Sequence, residues 1–375
     1  MADIVDISKI SYITCNIKEF SVKPVLSDSG RLLRHTFARE DVMAEATVRT
    51  RSSLFANIGV SPNIESLFSI DEVFDRAIAV GKIPDTITLC VESTLAPDSS
   101  VTHLAHAFSF KNEFIKIKGV VSAIADADPD SSSYFHGGVV QSHHTAKDAE
   151  ANFSVNGINF SGGFVINAPI DGYGDPSTYM KMFMGGNGVT LEAPAFKHKI
   201  PMGSTGIEAI KKTVKGFRNP EGFELIQSQM ELAHNSWASV SEALGLHQIL
   251  FSSPWDDKNE QVRTLNEFNR TLGRWRGYLS DVIRNNADKD EDVDDRIATA
   301  GVAALIFIPD KDKKSLPVDA SVMDLIKFAC KIRTTSQMPE GDKRKMDAYV
   351  GKLLSSRFDL AGQKKRITSY DKFFS

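Results

Sequence analysis

The side chains best suited to chemistry in this chain are basic ones, and they fall in two stretches. Between residues 197 and 218, the candidate phosphate contacts are Lys197, Lys199, Lys211, Lys215 and Arg218. Between residues 262 and 284, the candidates are Arg263, Arg270 and Arg274, interleaved with Trp275 and Tyr278. Cations neutralise phosphates and aromatic rings stack on unpaired bases, so this mixture is typical of single-strand binding. The alternative for the second stretch is that its arginines simply pair with nearby acids.

A glycine-rich turn precedes the first basic stretch. Its residues are Gly185, Gly186, Asn187 and Gly188, and two interpretations fit them. Successive backbone N–H groups of such a turn can cradle an anion. Equally, glycine and asparagine supply the positive φ angles of a hairpin turn. The Gly-Lys-Ser/Thr ending of a nucleotide-binding P-loop is missing, so no nucleotide cofactor is predicted.

Other patterns that support catalysis or metal binding are weak. Several of the nine histidines fall near one another, but their spacing matches no known closed metal site. The run from Asp126 to Asp130 begins like an EF-hand loop, yet it has Ser131 where that loop needs glycine. Neither a Ser-His-Asp order nor a paired-carboxylate motif stands out. We therefore predict no catalytic residue, no metal and no cofactor, and the residues give an enzyme little support.

Composition bounds the class of protein. The 375 residues carry a net charge of −4, so no basic field over the whole molecule indicates nucleic acid, although one face can still be basic. The three cysteines have no paired spacing, which favours a reducing compartment. The N-terminus lacks the pattern of a signal peptide. The apolar run at 300–308 is too short to span a bilayer, so a cytoplasmic protein without a membrane segment is predicted.

The elements that must position these side chains predict an α+β fold, with a largely antiparallel sheet in the N-terminal half and a helical C-terminal half. Strands are indicated at 8–26, 86–93, 103–119, 164–170 and 177–184, with a hairpin turn at Asn156-Gly157. Residues 31–53 are helix-capable, and 125–150 have the composition of a long loop or flexible hairpin. Helices are predicted at 70–80, 205–217, 221–250, 262–284, 297–308, 321–332 and 341–354.

These elements suggest a division into three parts. The predicted parts are a mixed α/β platform domain over 1–200, with its flexible loop near 125–150, a helical region over 201–360 and a basic-aromatic tail over 361–375. The tail is either disordered or docks on a neighbouring subunit, so a homo-oligomer is predicted.

Four segments carry a resemblance to a known family. They read FVINAPIDGY, MFMGGNG, APAFKHKI and SWASVSE, and they fall between residues 153 and 250. This stretch resembles the phage- and plasmid-borne family called domain of unknown function nine-three-two, with Asn167, Gly172, Asn187 and Gly188 matching its pattern. The family's usual cysteine before the Asn-Gly turn is replaced here by glycine. The resemblance implies a mobile-element context, often beside single-strand DNA-binding and annealing functions.

Two functions remain open from the sequence. The first is a non-catalytic, phage- or plasmid-encoded protein that binds single-stranded DNA or RNA during replication or recombination. The second is a phage structural or host-interaction protein that self-assembles without nucleic acid. Salt-dependent retention of labelled single strands separates them.

Overall fold

A computed structural model gives the fold of the chain. The residues it describes are 10–16, 21–26, 28–30, 32–39, 42–46, 68, 70–81, 86–93, 103–109, 115–136, 138–170, 174–185, 187–201, 204–272, 313–314 and 316–355. The fold is α+β, as predicted, because sheets occupy most of the N-terminal half and helices most of the C-terminal half.

The first sheet is built from six strands of the N-terminal region. They are β1 (Ile10–Asn16), β2 (Ser21–Leu26), β3 (Leu32–Arg39), β4 (Val42–Ala46), β5 (Thr86–Ser93) and β6 (His103–Ser109). Their order is β1-β5-β6-β4-β3-β2. All neighbours are antiparallel except β4 and β6, which are parallel. Helix α1 (Ile70–Ala79) precedes β5 in the chain and ends before Gly81, whose φ of 68° suits a residue after a helix.

The second sheet contains the middle of the chain. Its strands are β7 (Ser132–His136), β8 (Val139–Thr145), β9 (Asn152–Val155), β10 (Ile158–Pro169), β11 (Ser177–Met184), β12 (Asn187–Thr190) and β13 (Lys197–Lys199). The order is β12-β11-β10-β8-β7, with β9 beside β10 and β13 beside β11. The predicted Asn156-Gly157 turn joins β9 to β10, and both residues have positive φ, 48° and 77°.

The described residues contain eight α-helices. After α1 they are α2 (Ile117–Ala127), α3 (Ser204–Gly216), α4 (Pro220–Asn235), α5 (Val240–Ser252), α6 (Lys258–Thr271), α7 (Val322–Thr335) and α8 (Glu340–Ser355). Strands β14 (Trp237–Ser239) and β15 (Pro317–Ser321) form a two-stranded antiparallel sheet. In the chain, β14 lies between α4 and α5, and β15 directly precedes α7. Both α4 and α8 bury one face, since Phe223, Ile226 and Met230 on α4 and Met346 and Val350 on α8 are at most 1% exposed.

Two compact units divide the chain, and both are assembled from several segments. One contains Met1–His144, Val165–Thr178 and His198–Phe217, and the other contains Thr145–Phe164, Tyr179–Lys197 and Arg218–Ser375. This division differs from the linear boundary predicted at residue 200. Contacts between segments far apart in the chain define the two units, and local composition does not report such contacts.

Residues 31–53 were predicted to be helix-capable, and that prediction is wrong over the described part. Strands β3 and β4 occupy Leu32–Arg39 and Val42–Ala46 instead. They pair from Arg39 with Val42, so only two residues connect them. Pairing with neighbouring strands outweighs the small differences in helix propensity among these residues.

The strand predicted as far as Gly119 is corrected to the helix α2 from Ile117. Its buried residues Ile117, Val120 and Ile124 follow helical spacing, which a short apolar run does not reveal. Lys116 provides no side-chain cap for this helix. The hydroxyl of Tyr12 on β1 accepts a hydrogen bond from the Ile117 N–H at 3.1 Å, so a distant residue satisfies the helix start.

The single helix predicted over 221–250 is two helices, α4 and α5. Strand β14 separates them because it pairs with β15, about eighty residues later in the chain. Ser239 then starts α5 with a capping box that includes Glu242. In the predicted loop at 125–150, α2 ends and β7 and β8 form a hairpin, the second of the two forms expected there. The predicted helix at 297–308 and the tail lie outside the described residues.

Candidate functional site

Strand β11 presents an alternating aromatic and basic face. Met180, Met182 and Met184 are buried at 8% exposure or less, whereas Tyr179, Lys181 and Phe183 between them are half-buried. This alternation follows from the two-residue period of a strand. All six residues belong to the second compact unit. We define Tyr179, Lys181 and Phe183 as the β11 face.

Two lysines lie against aromatic rings of the β11 face. The Nζ atom of Lys181 is 4.5 Å from the centre of the Phe183 ring. The Nζ atom of Lys197 is 5.4 Å from the centre of the Tyr179 ring. Both distances are within the range of a cation–π interaction. The arrangement therefore places positive charge directly beside aromatic surface, the two groups that a single strand of nucleic acid requires.

Gly188 on β12 makes room for these side chains. Phe183 pairs with Gly188 across the β11–β12 hairpin. A Cβ atom added to Gly188 would lie 2.9 Å from both Lys181 Cε and Phe183 Cδ1. The Lys181 and Phe183 side chains consequently occupy the space that a larger side chain at position 188 would need. The predicted turn is a hairpin turn with Gly185 at φ +55°, while Gly186 lies outside the described residues.

The hairpin turn is also attached to helix α7. The hydroxyl of Thr334 donates to Asn187 Oδ1 at 2.8 Å. Arg333 directly precedes Thr334 on α7, and Cys330, one helical turn before Thr334, is buried. The Arg333 guanidinium contacts the Asp347 carboxylate on α8 at 3.2 Å, with the Asp347 side chain 1% exposed. A largely buried ion pair therefore joins α7, the helix that contacts the hairpin turn, to α8.

Burial changes the ionisation of Lys181. Loss of hydration, and secondly repulsion from the Arg333 guanidinium, lowers the pKa of Lys181 to about 8, although the Asp347 carboxylate acts in the opposite direction. The lysine remains mainly charged at neutral pH because this pKa is still above 7. Burial therefore leaves this charge only partly hydrated.

A shallow groove adjoins the β11 face. It has a volume of about 500 Å³ and is lined by Asn152, Phe153, Ser154, Asn159, Phe160, Ser161, Phe183 and Gly185. Phe183 therefore belongs both to the β11 face and to the groove. Phe153 and Phe160 are cross-strand partners whose rings stack with centres 5.3 Å apart. Every lining residue belongs to the second unit.

The predicted phosphate contacts are divided between the two units. Lys199, Lys211 and Lys215 belong to the first, and Lys197, Arg218, Arg263 and Arg270 to the second. Arg274 lies outside the described residues.

Four of these cations lie within 4 Å of a carboxylate. The separations are 3.4 Å for Lys199–Asp175, 3.4 Å for Lys211–Asp126, 3.7 Å for Arg218–Asp148 and 3.9 Å for Arg263–Asp257. Exposed pairs of this kind are weak and phosphate can replace the carboxylate, although the Asp148 side chain is only 12% exposed. They nevertheless reduce the local positive potential, so these four residues are poorer candidates than Lys197. Lys215 and Arg270 are exposed.

A hydrogen-bonded Ser-His-Asp series occurs in the first unit. His144 Nε2 is 2.8 Å from the Ser142 hydroxyl, and His144 Nδ1 is 2.7 Å from the Asp128 carboxylate. The connectivity resembles a hydrolase triad. However, Ser142 is 0% exposed and His144 is 4% exposed, so a substrate has no access to the hydroxyl. We interpret the series as a structural network that satisfies buried polar groups.

The described residues contain neither a cluster of metal ligands nor a membrane-spanning helix. Among them, His, Cys, Asp and Glu side chains form no group of three that can hold a metal ion. Within the same ranges, no helix combines the length and the apolar character needed to cross a membrane.

Comparison with known proteins adds no relative. No family model, curated protein or solved structure matches the chain. The family resemblance stated above therefore stays a prediction.

Sequence reasoning did not single out Tyr179, Lys181 or Phe183 as site residues. Their signal was present as the alternating segment STYMKMFM, which predicted a strand correctly. The residues that alternate with the buried methionines are aromatic, basic and aromatic, and all three are half-buried. For the segments that form the groove, the sequence predicted a hairpin turn but no binding site.

Proposed function

We propose that the protein binds single-stranded DNA or RNA, without catalysing a reaction, through the β11 face in its second unit. The observation that carries this proposal is the alternation of Tyr179, Lys181 and Phe183 on one half-buried strand face, with Lys197 against the Tyr179 ring. Single-strand binders combine stacking surfaces with cations that follow the backbone. Duplex DNA hides its base faces, so this combination favours unpaired strands.

The spacing along the strand suits successive nucleotides. Side chains on one face of a strand repeat about every 6.5–7 Å, which is close to the phosphate separation of an extended single strand. Lys181 then meets a phosphate while the flanking rings of Tyr179 and Phe183 meet the neighbouring bases. The mobile-element context that the resemblance implies fits a role in replication or recombination.

The decisive experiment measures retention of labelled single strands by the Phe183→Ala variant. Removing one stacking ring costs about 1–3 kcal/mol, so affinity should fall roughly 5- to 150-fold. The matched control is Phe251→Ala, because Phe251 is a phenylalanine of the same unit that is 64% exposed on α5. The control should bind as the unchanged protein does. Equal binding by both variants would remove Phe183 from the interface.

A second comparison tests which cations carry the phosphates. The double variant Lys181→Gln with Lys197→Gln should weaken retention and reduce its dependence on salt concentration. The comparison variant Arg263→Gln with Arg270→Gln changes the same number of charges on α6. If only the α6 variant lost retention of single strands, the interface would lie on α6 and not on the β11 face.

Self-assembly without nucleic acid is the second candidate function. The observation in its favour is a pair of exposed leucines on α4, Leu225 at 40% and Leu232 at 50% exposure. They are seven residues apart and therefore share one helix face. Assembly driven by this face should persist in high salt and be lost in the double variant Leu225→Ser with Leu232→Ser. Light scattering in the absence of nucleic acid measures it.

A further inference from the structure

The β9–β10 hairpin beside Phe183 carries four polar side chains on one face. Asn159 pairs with Ser154, and Ser161 pairs with Asn152. Residues two apart on a strand share a face, as do direct cross-strand partners. Asn152, Ser154, Asn159 and Ser161 consequently form one cluster, and we call them the polar quartet. All four line the groove.

The hydrogen-bonding groups of the polar quartet are available to a ligand. Asn152, Ser154 and Asn159 are exposed, and Ser161 is half-buried. Within the described part of the chain, none of the four side chains has a hydrogen-bond partner. The groove therefore combines two amides and two hydroxyls with the aromatic rings of Phe153, Phe160 and Phe183.

We propose that the groove holds one unpaired adenine, stacked against Phe183 and hydrogen-bonded along its edge by the amides of the polar quartet. This inference depends on the proposed function, since it names the base that the single-strand site prefers. The groove volume of about 500 Å³ lies within the range of small-ligand sites, about 300–1,000 Å³, and has room for a base with its sugar.

Adenine is the base whose chemistry fits both parts of the site. An asparagine amide donates through its NH₂ and accepts through its oxygen, and it matches the N6 donor and N7 acceptor of adenine in a bidentate pair. Guanine presents two acceptors at the corresponding edge and calls for arginine or lysine. The pyrimidines offer a smaller ring to Phe183. Adenine therefore gains from the amides and from the ring together.

The test compares labelled homopolymers of deoxyadenylate, deoxythymidylate and deoxycytidylate of one length. The full chain should bind the adenine strand at least about fivefold more tightly than either pyrimidine strand, the effect of one bidentate contact. The double variant Asn152→Ala with Asn159→Ala should lose that preference and keep salt-dependent binding to all three. Asn235→Ala changes an exposed asparagine on α4 and should keep the preference.

Three results would overturn the inference, and they differ in what else they remove. Equal binding of the three strands, still weakened by Phe183→Ala, rejects adenine selection and leaves the proposed function in place. An adenine preference that survives the double asparagine variant rejects the polar quartet as its source. Absence of binding to every strand rejects the proposed function as well. Unfolding curves of the variants establish that each remains folded.

Discussion

The Nζ atom of Lys181 lies 4.5 Å from the centre of the Phe183 ring, two residues further along strand β11. The contact places the positive charge of Lys181 directly against the Phe183 ring, the stacking surface of the proposed interface. It also holds the ammonium group in a partly dehydrated position, where burial lowers the pKa of Lys181 to about 8. Ionisation of this lysine therefore takes place close to neutral pH, and binding should depend on it.

The first prediction concerns pH. Raising the pH from about 7 to about 9 removes the charge of Lys181, so affinity for single strands should fall over this window. Lys181→Arg keeps its charge throughout, because arginine does not lose its proton in this range, and should flatten the dependence. Dissociation constants at constant ionic strength measure both. The same pH dependence in the two proteins would show that another group is responsible.

The second prediction concerns Gly188. A methyl group at this position would meet the side chains of Lys181 and Phe183 at 2.9 Å, so Gly188→Ala should displace both and reduce single-strand affinity. Stability should change less than affinity because both neighbours are half-buried and can move. Gly341→Ala is the control, since its new methyl group meets nothing within 4 Å. Unchanged affinity in Gly188→Ala would mean that the β11 face does not bind.

The third prediction concerns packing in the second unit. A Cβ atom on Gly162 would lie 2.3 Å from the ring of Phe223, which is 1% exposed and has no room to withdraw. Gly162→Ala should therefore lower the free energy of unfolding by about 1–3 kcal/mol. Urea denaturation measures the change, and Gly341→Ala in helix α8 should be neutral or slightly stabilising. A neutral Gly162→Ala would contradict the packing of α4 on β10.

The fourth prediction concerns the buried ion pair. Arg333→Met leaves the Asp347 carboxylate, 1% exposed, without its guanidinium and should destabilise the protein by about 3–5 kcal/mol. Lys331→Met is the matched control, because it breaks an ion pair with Glu267 whose members are both 50% exposed. The control should cost less than about 1 kcal/mol. Comparable losses in the two variants would mean that burial does not distinguish the pairs.

The fifth prediction concerns acid stability. Burial lowers the pKa of His144 below 6.5, while its hydrogen bond to Asp128 partly opposes the change. Below pH 6.5 the unfolded chain then binds more protons than the folded one, so the free energy of unfolding decreases as the pH is lowered. Above pH 6.5 this histidine does not change the stability. Burial lowers the pKa of His247 as well, which adds to the same trend. Asp128→Asn removes the opposing interaction and should lower the pKa of His144 further.

Nuclear magnetic resonance titration of the imidazole follows His144 directly, and urea midpoints against pH follow stability. His198→Gln alters an exposed side chain and serves as the control, with the slope expected to stay unchanged. A His144 titration at or above 6.5 would contradict this prediction.

The sequence was most informative where structure is local. The Asn156-Gly157 turn, strands β5 and β11, and helices α3, α7 and α8 were all predicted close to their observed bounds. Each depends on signals within a few residues, such as positive-φ turn residues or an apolar period. The helix expected over 221–250 was wrong because β14 needs β15 as a partner, and α2 was missed because its start is satisfied by Tyr12.

By itself, the sequence determined the α+β class, most element positions and the presence of basic residues near a glycine-rich hairpin. Only the tertiary structure decided which of those cations lie beside carboxylates and which lie beside aromatic rings. It also placed Phe183 at the edge of a groove built by the β9–β10 hairpin. The physical reason is that alternation along a strand is encoded in neighbouring residues, whereas the surroundings of each side chain depend on segments far away in the chain.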